Sequence, residues 1–253
     1  MTPEAAARLL WEAARKGWPW PDTLRGALDA DQAYGVQLAG LAIKVRSGNR
    51  HSGWRAGWAA AAGRTAATRV CGHLVDDGEH GGGATLALGQ TARPHLEPDV
   101  CVTLARPLAG PGVTPEQAWE ALGAVAPALG LVSLRGDPAA DPLLHVADNL
   151  GHWGYVLGPD VGAAALGGVL RETRVTLHRD GGPVALAPAA GGAPYAPLEA
   201  LAWLANFLAS FRMELEAGQR ILTGALAQPL AVAAGQSWEA RFAGLGAVAV
   251  RFA

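Results

Sequence analysis

Residues 198–209 read Leu-Glu-Ala-Leu-Ala-Trp-Leu-Ala-Asn-Phe-Leu-Ala, and this run, with the residues that follow it, decides the fold. Leucines recur at positions 201, 204 and 208, which is the spacing of one buried helix face. A helix is therefore predicted to begin near Pro197 and to run to about residue 217. Residues 237–252 alternate apolar and polar side chains, which predicts two strands at the end of the chain.

Three further helices are predicted from their capping residues. The first begins after Thr2, with Pro3 at its first position, and ends before Gly17; the second spans 29–46; the third opens at Thr114 and runs to about residue 128. Short apolar runs predict strands at 84–88, 100–104, 129–133, 153–157 and 174–178. The glycine runs at 81–83 and 191–192 are predicted turns, because neither has the spacing of a phosphate-binding loop.

The composition indicates one globular domain. The chain has 253 residues, of which 50% are hydrophobic and 17% charged, and its net charge is −2. We predict a single domain over residues 1–253, with a helical part at 1–60 and a β-rich core at 61–253. Since no basic run is present, neither nucleic acid nor an anionic membrane is expected as a partner.

The cysteine content and the N-terminal residues indicate a cytoplasmic protein. Cys71 and Cys101 form no C-x-x-C pair, so neither a disulfide framework nor a structural zinc site is expected. Residues 1–16 mix charged side chains with alanines and lack the apolar stretch of a signal peptide. No run of 18 apolar residues predicts a membrane-spanning helix.

Six motifs occur in order along nearly the whole chain. They are Gln32-Ala-Tyr-Gly-Val-Gln, Gly72-His-Leu-Val-Asp-Asp, Ala147-Asp-Asn, the run 198–209, Leu215-Glu-Ala-Gly-Gln-Arg-Ile-Leu-Thr-Gly and Phe242-Ala-Gly-Leu-Gly-Ala-Val-Ala-Val-Arg-Phe. Together they resemble the 2-oxopent-4-enoate hydratase/4-oxalocrotonate decarboxylase family of the fumarylacetoacetate hydrolase-like superfamily. The resemblance implies a mixed α/β fold with a curved, mainly antiparallel β core and flanking helices, and assembly as a homo-oligomer.

The resemblance also implies an activity. Members of the family are lyases that act on small unsaturated 2-oxo or 2-hydroxydienoate acids, either adding water to a double bond or removing a carboxylate through an enolate. In the family, Mg²⁺ or Mn²⁺ chelates the 2-oxo acid and is held by a Glu-x-Glu pair and a third acid. A small carboxylic acid is therefore the expected ligand.

The Glu-x-Glu pair corresponds to Glu97-Pro98-Asp99 in this chain. Strand geometry would place residues 97 and 99 on one face as metal ligands, with His95 as a possible third. A solvated strand edge is the alternative interpretation. Pro98 favours that alternative, because proline donates no hydrogen bond to a neighbouring strand.

Several other positions of the family's site are replaced. Its third acid corresponds to Gly130 and a nearby aspartate to Ser133, so the resemblance implies a weakened site for Mg²⁺ or Mn²⁺. Its lysine corresponds to Arg55, which could clamp a carboxylate but could not relay a proton. Its G-S-x-T element corresponds to residues 224–227, Gly-Ala-Leu-Ala, so two hydroxyls are absent.

Residues around Arg55 are predicted to contact the substrate. Trp54 and Trp58 flank it along the chain, and Thr223 and Gly224 adjoin the missing hydroxyls. For Arg55 the alternative is a surface arginine. For the two tryptophans the alternative is core packing.

His73, Asp76 and Asp77 remain from the family's G-H-L-x-D-D element and are predicted, with Arg55, to be catalytic. A histidine and an aspartate in a closed pocket are suited to proton transfer. The alternative is that Asp76 or Asp77 caps a turn, as aspartate before glycine often does.

Three hypotheses follow for the function. The first is a lyase of the family type with a weakened metal site. The second is the family fold used for metal-independent catalysis on a different, biosynthetic substrate. The third is a non-catalytic subunit that assembles with an active relative.

Overall fold

The computed structural model describes residues 1–59, 68–166, 170, 173–186 and 196–253. The helices in these ranges are α1 (Pro3–Arg15), α2 (Ala30–Arg46), α3 (Pro115–Glu120), α4 (Pro142–Ala147) and α5 (Pro197–Ala209). The strands are β1 (His51–Ala59), β2 (Thr68–Val75), β3 (Glu79–Gly81), β4 (Ala84–Leu86), β5 (Pro94–Leu104), β6 (Leu122–Ser133), β7 (His152–Leu157), β8 (Val161–Gly162), β9 (Val175–Arg179), β10 (Gly182–Val184), β11 (Arg220–Leu222), β12 (Leu230–Ala231), β13 (Ser237–Phe242) and β14 (Gly246–Phe252).

A nine-stranded sheet forms the centre of the described fold. Seven of its strands follow the order β2-β1-β11-β5-β6-β7-β3, while β12 pairs with β5 and β8 with β6. The outermost strands, β2 and β3, are joined by one short turn, Asp76–Gly78, so the sheet curls back towards itself. Most neighbours are antiparallel, the exceptions being β1 with β11 and β3 with β7. This confirms the predicted curved, mainly antiparallel core.

A second sheet of five strands, in the order β10-β9-β13-β14-β4, packs against β6. The two C-terminal strands pair antiparallel, which confirms the two strands predicted at the end of the chain. The fully buried Leu129 of β6 lies in one core cluster with Trp238 and Phe252 of this sheet. Burial of these large apolar side chains holds the two sheets together.

The N-terminal helices have the capping that the sequence predicts. The Thr2 hydroxyl accepts a hydrogen bond from the Ala5 N–H at 3.2 Å, and Asp29 and Gln32 form a capping box at the start of α2. Helix α2 ends at Arg46, and β1 already begins at His51, before the boundary expected at residue 60. Helices α1, α2 and α4 share a separate apolar cluster. No helix in the described part of the chain is long and apolar enough to span a membrane.

Two predicted helix ends were wrong. The helix expected to reach residue 128 ends at Glu120, and residues 122–133 form β6, which pairs with β5 along its length. Strand β6 is buried on both faces, so its residues form a nearly continuous apolar run that periodicity cannot distinguish from a helix. Helix α5 ends at Ala209; beyond it, Arg212 has a φ of 57° and Leu215 bridges to Leu108.

Of the two predicted glycine turns, the structure describes only the one that follows β3. Gly82 and Gly83 form a turn after β3, as predicted. The turn predicted at 191–192 lies outside the described residues. Both cysteines are free and buried, as expected for thiols that belong to no disulfide framework.

Candidate active site around Arg55 and Glu97

The inner face of the curled sheet brings Arg55 to Glu97. Arg55 of β1 lies opposite Leu222, which lies opposite Cys101 of β5, and Glu97 shares the face of Cys101 because side chains alternate along a strand. The Arg55 Nη2 donates to the Glu97 Oε1 in an ion pair whose side chains are only 5% and 6% exposed. The two residues are 42 positions apart in sequence, so the curl of the sheet creates this contact.

Gly130 leaves room for the Glu97 side chain. It lies directly opposite Glu97 in the β5–β6 pair. A Cβ at position 130 would lie 3.1 Å from the Glu97 Cγ and 3.3 Å from its Oε1. These distances are shorter than ordinary van der Waals contacts, so a side chain here would require Glu97 to shift by a few tenths of an ångström.

Asp99 is fully buried beside this pair. Its Oδ1 accepts hydrogen bonds from the backbone N–H groups of Val100 at 2.7 Å and Gly224 at 3.1 Å. Its Oδ2 has no hydrogen-bond partner among the described residues. Burial away from water, with the neighbouring Glu97 carboxylate, raises the pKa of Asp99 to about 8.

Arg55 and Glu97 line a cavity of about 430 Å³, which we name the Arg55 cavity. Its lining also includes Trp58, His145, Ala225 and Ala227. The Nε and Nη1 of Arg55 have no partner in the described part of the chain. A guanidinium with two free donors at a largely apolar cavity is suited to bind a carboxylate.

His145 supplies a neutral ring to the same cavity. Burial, with the nearby positive charges of Arg55 and Arg135, lowers the pKa of His145 to about 3. The imidazole is therefore uncharged at neutral pH. Nothing in the sequence singled out this residue, because a lone histidine on an apolar helix has no motif of its own.

The residues present do not fit the Mg²⁺ or Mn²⁺ that the family resemblance implies. These ions take several oxygen ligands, of which a protein site usually supplies carboxylates. Here Glu97 is bound to Arg55, one oxygen of Asp99 accepts two backbone N–H groups, and Gly130 offers no side-chain ligand. Within the described ranges, no group of three or more His, Cys, Asp or Glu side chains is placed to hold a metal.

The role of His95 as a possible third metal ligand stays a prediction. The His95 Nδ1 lies 2.7 Å from the carbonyl oxygen of Arg93, and His95 is not part of the Arg55 cavity lining. The alternative of a solvated strand edge at Pro98 is wrong. Strand β5 has neighbours on both sides, and Glu97 and Asp99 are 5% and 0% exposed.

His73 does not share the Arg55 cavity. Trp54 pairs with His73 and Arg55 with Gly72, so His73 lies on the opposite face of the β1–β2 pair from Arg55. It lines a second cavity of about 390 Å³, the His73 cavity, together with Lys44 and Asp77. Arg55 and His73, both predicted to be catalytic, therefore line different cavities.

The His73 ring is neutral and isolated. The residue is 2% exposed, and neither ring nitrogen has a hydrogen-bond partner among the described residues. Burial, with the nearby Lys44, His51 and His152, lowers the pKa of His73 well below its usual value. Burial likewise lowers the pKa of Lys44, to about 8.

The Asp76 carboxylate pairs with Arg50, which lies 26 positions earlier in the chain. The carboxylate accepts hydrogen bonds from the backbone N–H and the Nε of Arg50, each at 2.8 Å, and these bonds lower the pKa of Asp76. Asp76 and Arg50 thus connect the end of β2 to the start of β1. Asp77, the next residue, is exposed and borders the His73 cavity.

Of the remaining predicted residues, one lines the Arg55 cavity and the others support the structure around it. Trp58 lines the Arg55 cavity, whereas Trp54 is buried in the main core, where its alternative interpretation placed it. The Thr223 hydroxyl donates to the Val100 carbonyl oxygen at 3.0 Å, so it supports the strand. Ser133 donates to the Ala92 carbonyl oxygen and borders the His73 cavity, so its replacement of the family's aspartate does not alter the Arg55 cavity.

Asn149 has a supporting role that the sequence did not reveal, although its A-D-N motif was visible. Its Oδ1 accepts from the His73 N–H at 2.7 Å, and its Nδ2 donates to the His73 carbonyl oxygen at 3.0 Å. Asn149 thereby provides hydrogen-bond partners for the backbone N–H and carbonyl of His73 at the outer edge of β2, next to Arg55. A Cβ at Gly72 would lie 2.7 Å from the Asn149 Oδ1, so glycine is required for this contact.

The sequence is similar to several characterised enzymes, although no family model matches it. It is 31% identical to 4-oxalocrotonate decarboxylase of Pseudomonas putida, over 87% of this chain and 84% of the relative. It is 30% identical to 2-keto-4-pentenoate hydratase of Paraburkholderia xenovorans strain LB400, over 100% of this chain and 96% of the relative.

Solved structures show the same relationship. The 4-oxalocrotonate decarboxylase of Pseudomonas putida G7, in complex with magnesium and adipate, superposes with a TM-score of 0.89 at 26% identity, over 99% of this chain and 97% of that chain. A fumarylpyruvate hydrolase of Pseudomonas aeruginosa superposes with a TM-score of 0.59 at 21% identity, over 80% of this chain and 89% of that chain. The second likeness concerns the fold alone.

Proposed function

The chain belongs to the 2-keto-4-pentenoate hydratase/4-oxalocrotonate decarboxylase family, and from this membership we propose that it is a lyase acting on a small unsaturated 2-oxo or 2-hydroxydienoate acid. The substrate binds in the Arg55 cavity. Relatives that cover most of the chain are named as hydratases or a decarboxylase. For this chain we expect either reaction to pass through an enolate of the 2-oxo acid.

One observation carries the proposal: a buried guanidinium with two unpaired donors at a cavity sized for a small acid. The Arg55 Nε and Nη1 lack partners among the described residues, and the cavity holds about 430 Å³. An unpaired buried donor costs free energy, which a bound acceptor recovers. Hydrogen bonds from a charged guanidinium to a carboxylate are strong, so the acid group of the substrate binds at these free donors.

Arg55 also stabilises the charge that develops during the reaction. When the enolate forms, electron density moves to the 2-oxygen, next to the substrate carboxylate. A fixed positive charge in a cavity that largely excludes water stabilises that oxygen more strongly than bulk solvent does. Arg55 stays protonated throughout, so it binds and orients the acid and does not transfer the proton.

The assay that tests this proposal follows the loss of ultraviolet absorbance of 2-hydroxypenta-2,4-dienoate and of 4-oxalocrotonate. For Arg55→Leu we expect a loss in kcat/KM of about 100- to 1,000-fold, the usual effect of removing one such charge-stabilising donor. Arg220→Leu is the matched control, since Arg220 is a partly buried arginine of the same sheet and lies outside the cavity lining. Wild-type kcat/KM in a folded Arg55→Leu protein would refute the assignment.

A second candidate function is catalysis on a different unsaturated acid. Ala225 and Ala227 make part of the Arg55 cavity apolar where the family's motif has hydroxyls, which favours a less polar substrate. This candidate gains support if small carboxylic acids bind the wild-type protein but neither dienoate is turned over.

A further inference from the structure

We propose that Arg55 takes the place of a divalent ion in this enzyme, so that its guanidinium is the cation that neutralises Glu97 and receives the oxo acid. The role towards the oxo acid rests on the proposed function. The prediction that the protein binds no divalent ion does not rest on the proposed function, and it is measured separately.

The charge of the buried pair is already balanced. Glu97 and Arg55 are both nearly inaccessible to water, and a buried carboxylate requires a counter-charge at close range. Arg55 supplies that charge through a direct hydrogen bond to Oε1. A divalent ion bound to the same carboxylate would lie beside the guanidinium, and the two cations would repel each other.

Gly130 leaves the space that the Arg55–Glu97 pair requires. A side chain at position 130 would contact the Glu97 Cγ and Oε1 at 3.1 and 3.3 Å, which would move the carboxylate away from its present position. Glycine therefore gives Glu97 the space in which it pairs with Arg55. The same glycine removes the third acid of a metal site, so one substitution favours the arginine and disfavours the ion.

Asp99 is not available as a full ligand either. Its Oδ1 accepts two backbone N–H groups, from Val100 and Gly224, which hold the carboxyl in place between β5 and the segment after β11. One oxygen of each carboxylate is already bonded, Glu97 Oε1 to Arg55 and Asp99 Oδ1 to the backbone, and the oxygens that remain, such as Asp99 Oδ2, are too few for a hard cation without a third acid.

The free donors of Arg55 indicate what the guanidinium binds. Nη2 is bonded to Glu97, whereas Nε and Nη1 have no partner in the described ranges and belong to a residue that lines the cavity. One edge of the group therefore holds the protein's own carboxylate. The other donors lie on different sides of the guanidinium, and each remains free to donate to an oxygen of an oxo acid.

The deciding experiment measures Mn²⁺ and Mg²⁺ binding to the purified, folded protein, by loss of the free Mn²⁺ electron paramagnetic resonance signal and by calorimetry. For the wild type we expect no saturable binding up to millimolar metal, and no change in melting temperature with a chelator. Saturable binding at micromolar Mn²⁺, or near-stoichiometric metal in the purified protein, would overturn the proposal.

A gain-of-function variant strengthens the test. Arg55→Lys with Gly130→Glu restores the family's lysine and third acid, and we expect it to bind Mn²⁺ at least tenfold more tightly than the wild type. Arg55→Lys with Gly130→Gln is the matched control, because glutamine has the same shape without the charge, and we expect no gain. Equal Mn²⁺ affinity of the two folded double variants would contradict the role of the third acid; if either variant unfolds, the wild-type titration alone decides.

Failure of this inference and failure of the proposed function give different results. Turnover that disappears with a chelator and returns with Mg²⁺ would overturn the inference and leave the lyase assignment intact. Metal-free protein that turns over no dienoate would refute the assignment and leave the inference about Glu97 and Arg55 intact.

Discussion

Gly130 lies directly opposite Glu97 across the β5–β6 pair, and a Cβ added to Gly130 would come within 3.1 Å of the Glu97 Cγ. Because of this close approach, the space available to the Glu97 side chain on β5 depends on the residue at position 130 of β6. A side chain at position 130 would therefore act on the carboxylate that Arg55 binds.

Gly130→Ala is therefore expected to destabilise the protein. The added methyl group overpacks the site and shifts the Glu97 carboxylate, at a cost of about 1–3 kcal/mol in the free energy of unfolding. Urea denaturation measures the change. Gly81→Ala is the control, since a Cβ at Gly81 meets no atom within 4 Å; an equal effect of both substitutions would show that the contact with Glu97 is not the cause.

A double-mutant cycle on Arg55 and Glu97 measures their coupling. Glu97→Leu leaves a buried guanidinium unpaired, and we expect a loss of about 3–5 kcal/mol in the free energy of unfolding. Arg55→Leu leaves the carboxylate unpaired and should cost a similar amount. The double variant should lose much less than the sum, because a pair of apolar residues leaves no charge uncompensated. Additive losses in urea denaturation would contradict a direct pair.

The starts of α1, α2 and α3 were predictable from local capping chemistry, whereas α4, which Asp141 also caps, was missed. Thr2 and Asp29 cap their helices through side chains that interact only three residues along the chain. The end of α3 was not predictable in the same way. Residues 122–133 are apolar on both faces, and pairing with β5, a contact distant in sequence, makes them a strand.

The candidate site was predictable in its residues but not in its arrangement. The resemblance to the family pointed to Arg55, Glu97 and Asp99, and all three lie together on the inner face of the sheet. The Arg55–Glu97 ion pair could not be foreseen, because it depends on the register and curl of four strands. The placement of His73 depends on the β1–β2 register, in which Trp54 and not Arg55 pairs with His73; a shift of one residue would reverse its face.

Asn149→Ala is expected to lower the local stability of the edge of β2. The substitution leaves the N–H and carbonyl of His73 without the two hydrogen bonds that the amide makes, at 2.7 and 3.0 Å. Unsatisfied buried groups of this kind cost about 1–3 kcal/mol each. Hydrogen exchange should show faster exchange of the His73 amide in the variant. Gln90→Ala, at an exposed position, is the control, and unchanged His73 protection in the Asn149 variant would contradict the role of the amide.

The last prediction concerns acid stability. Burial lowers the pKa of His73 well below 6.5, so the folded protein keeps this ring neutral where the unfolded chain protonates it. The unfolded state then binds more protons below pH 6.5, and the stability contributed by the neutral ring decreases as pH falls from 6.5 towards the folded-state pKa. The slope for one histidine is at most about 1.4 kcal/mol per pH unit.

His73→Leu removes this titration from the folded and unfolded states. We expect the unfolding free energies of wild type and His73→Leu to be separated by a constant amount above pH 7. Below pH 6.5 the wild type should lose stability faster than the variant. Parallel curves for wild type and His73→Leu between pH 7 and pH 5 would show that the buried ring is protonated in the folded protein, against the lowered pKa.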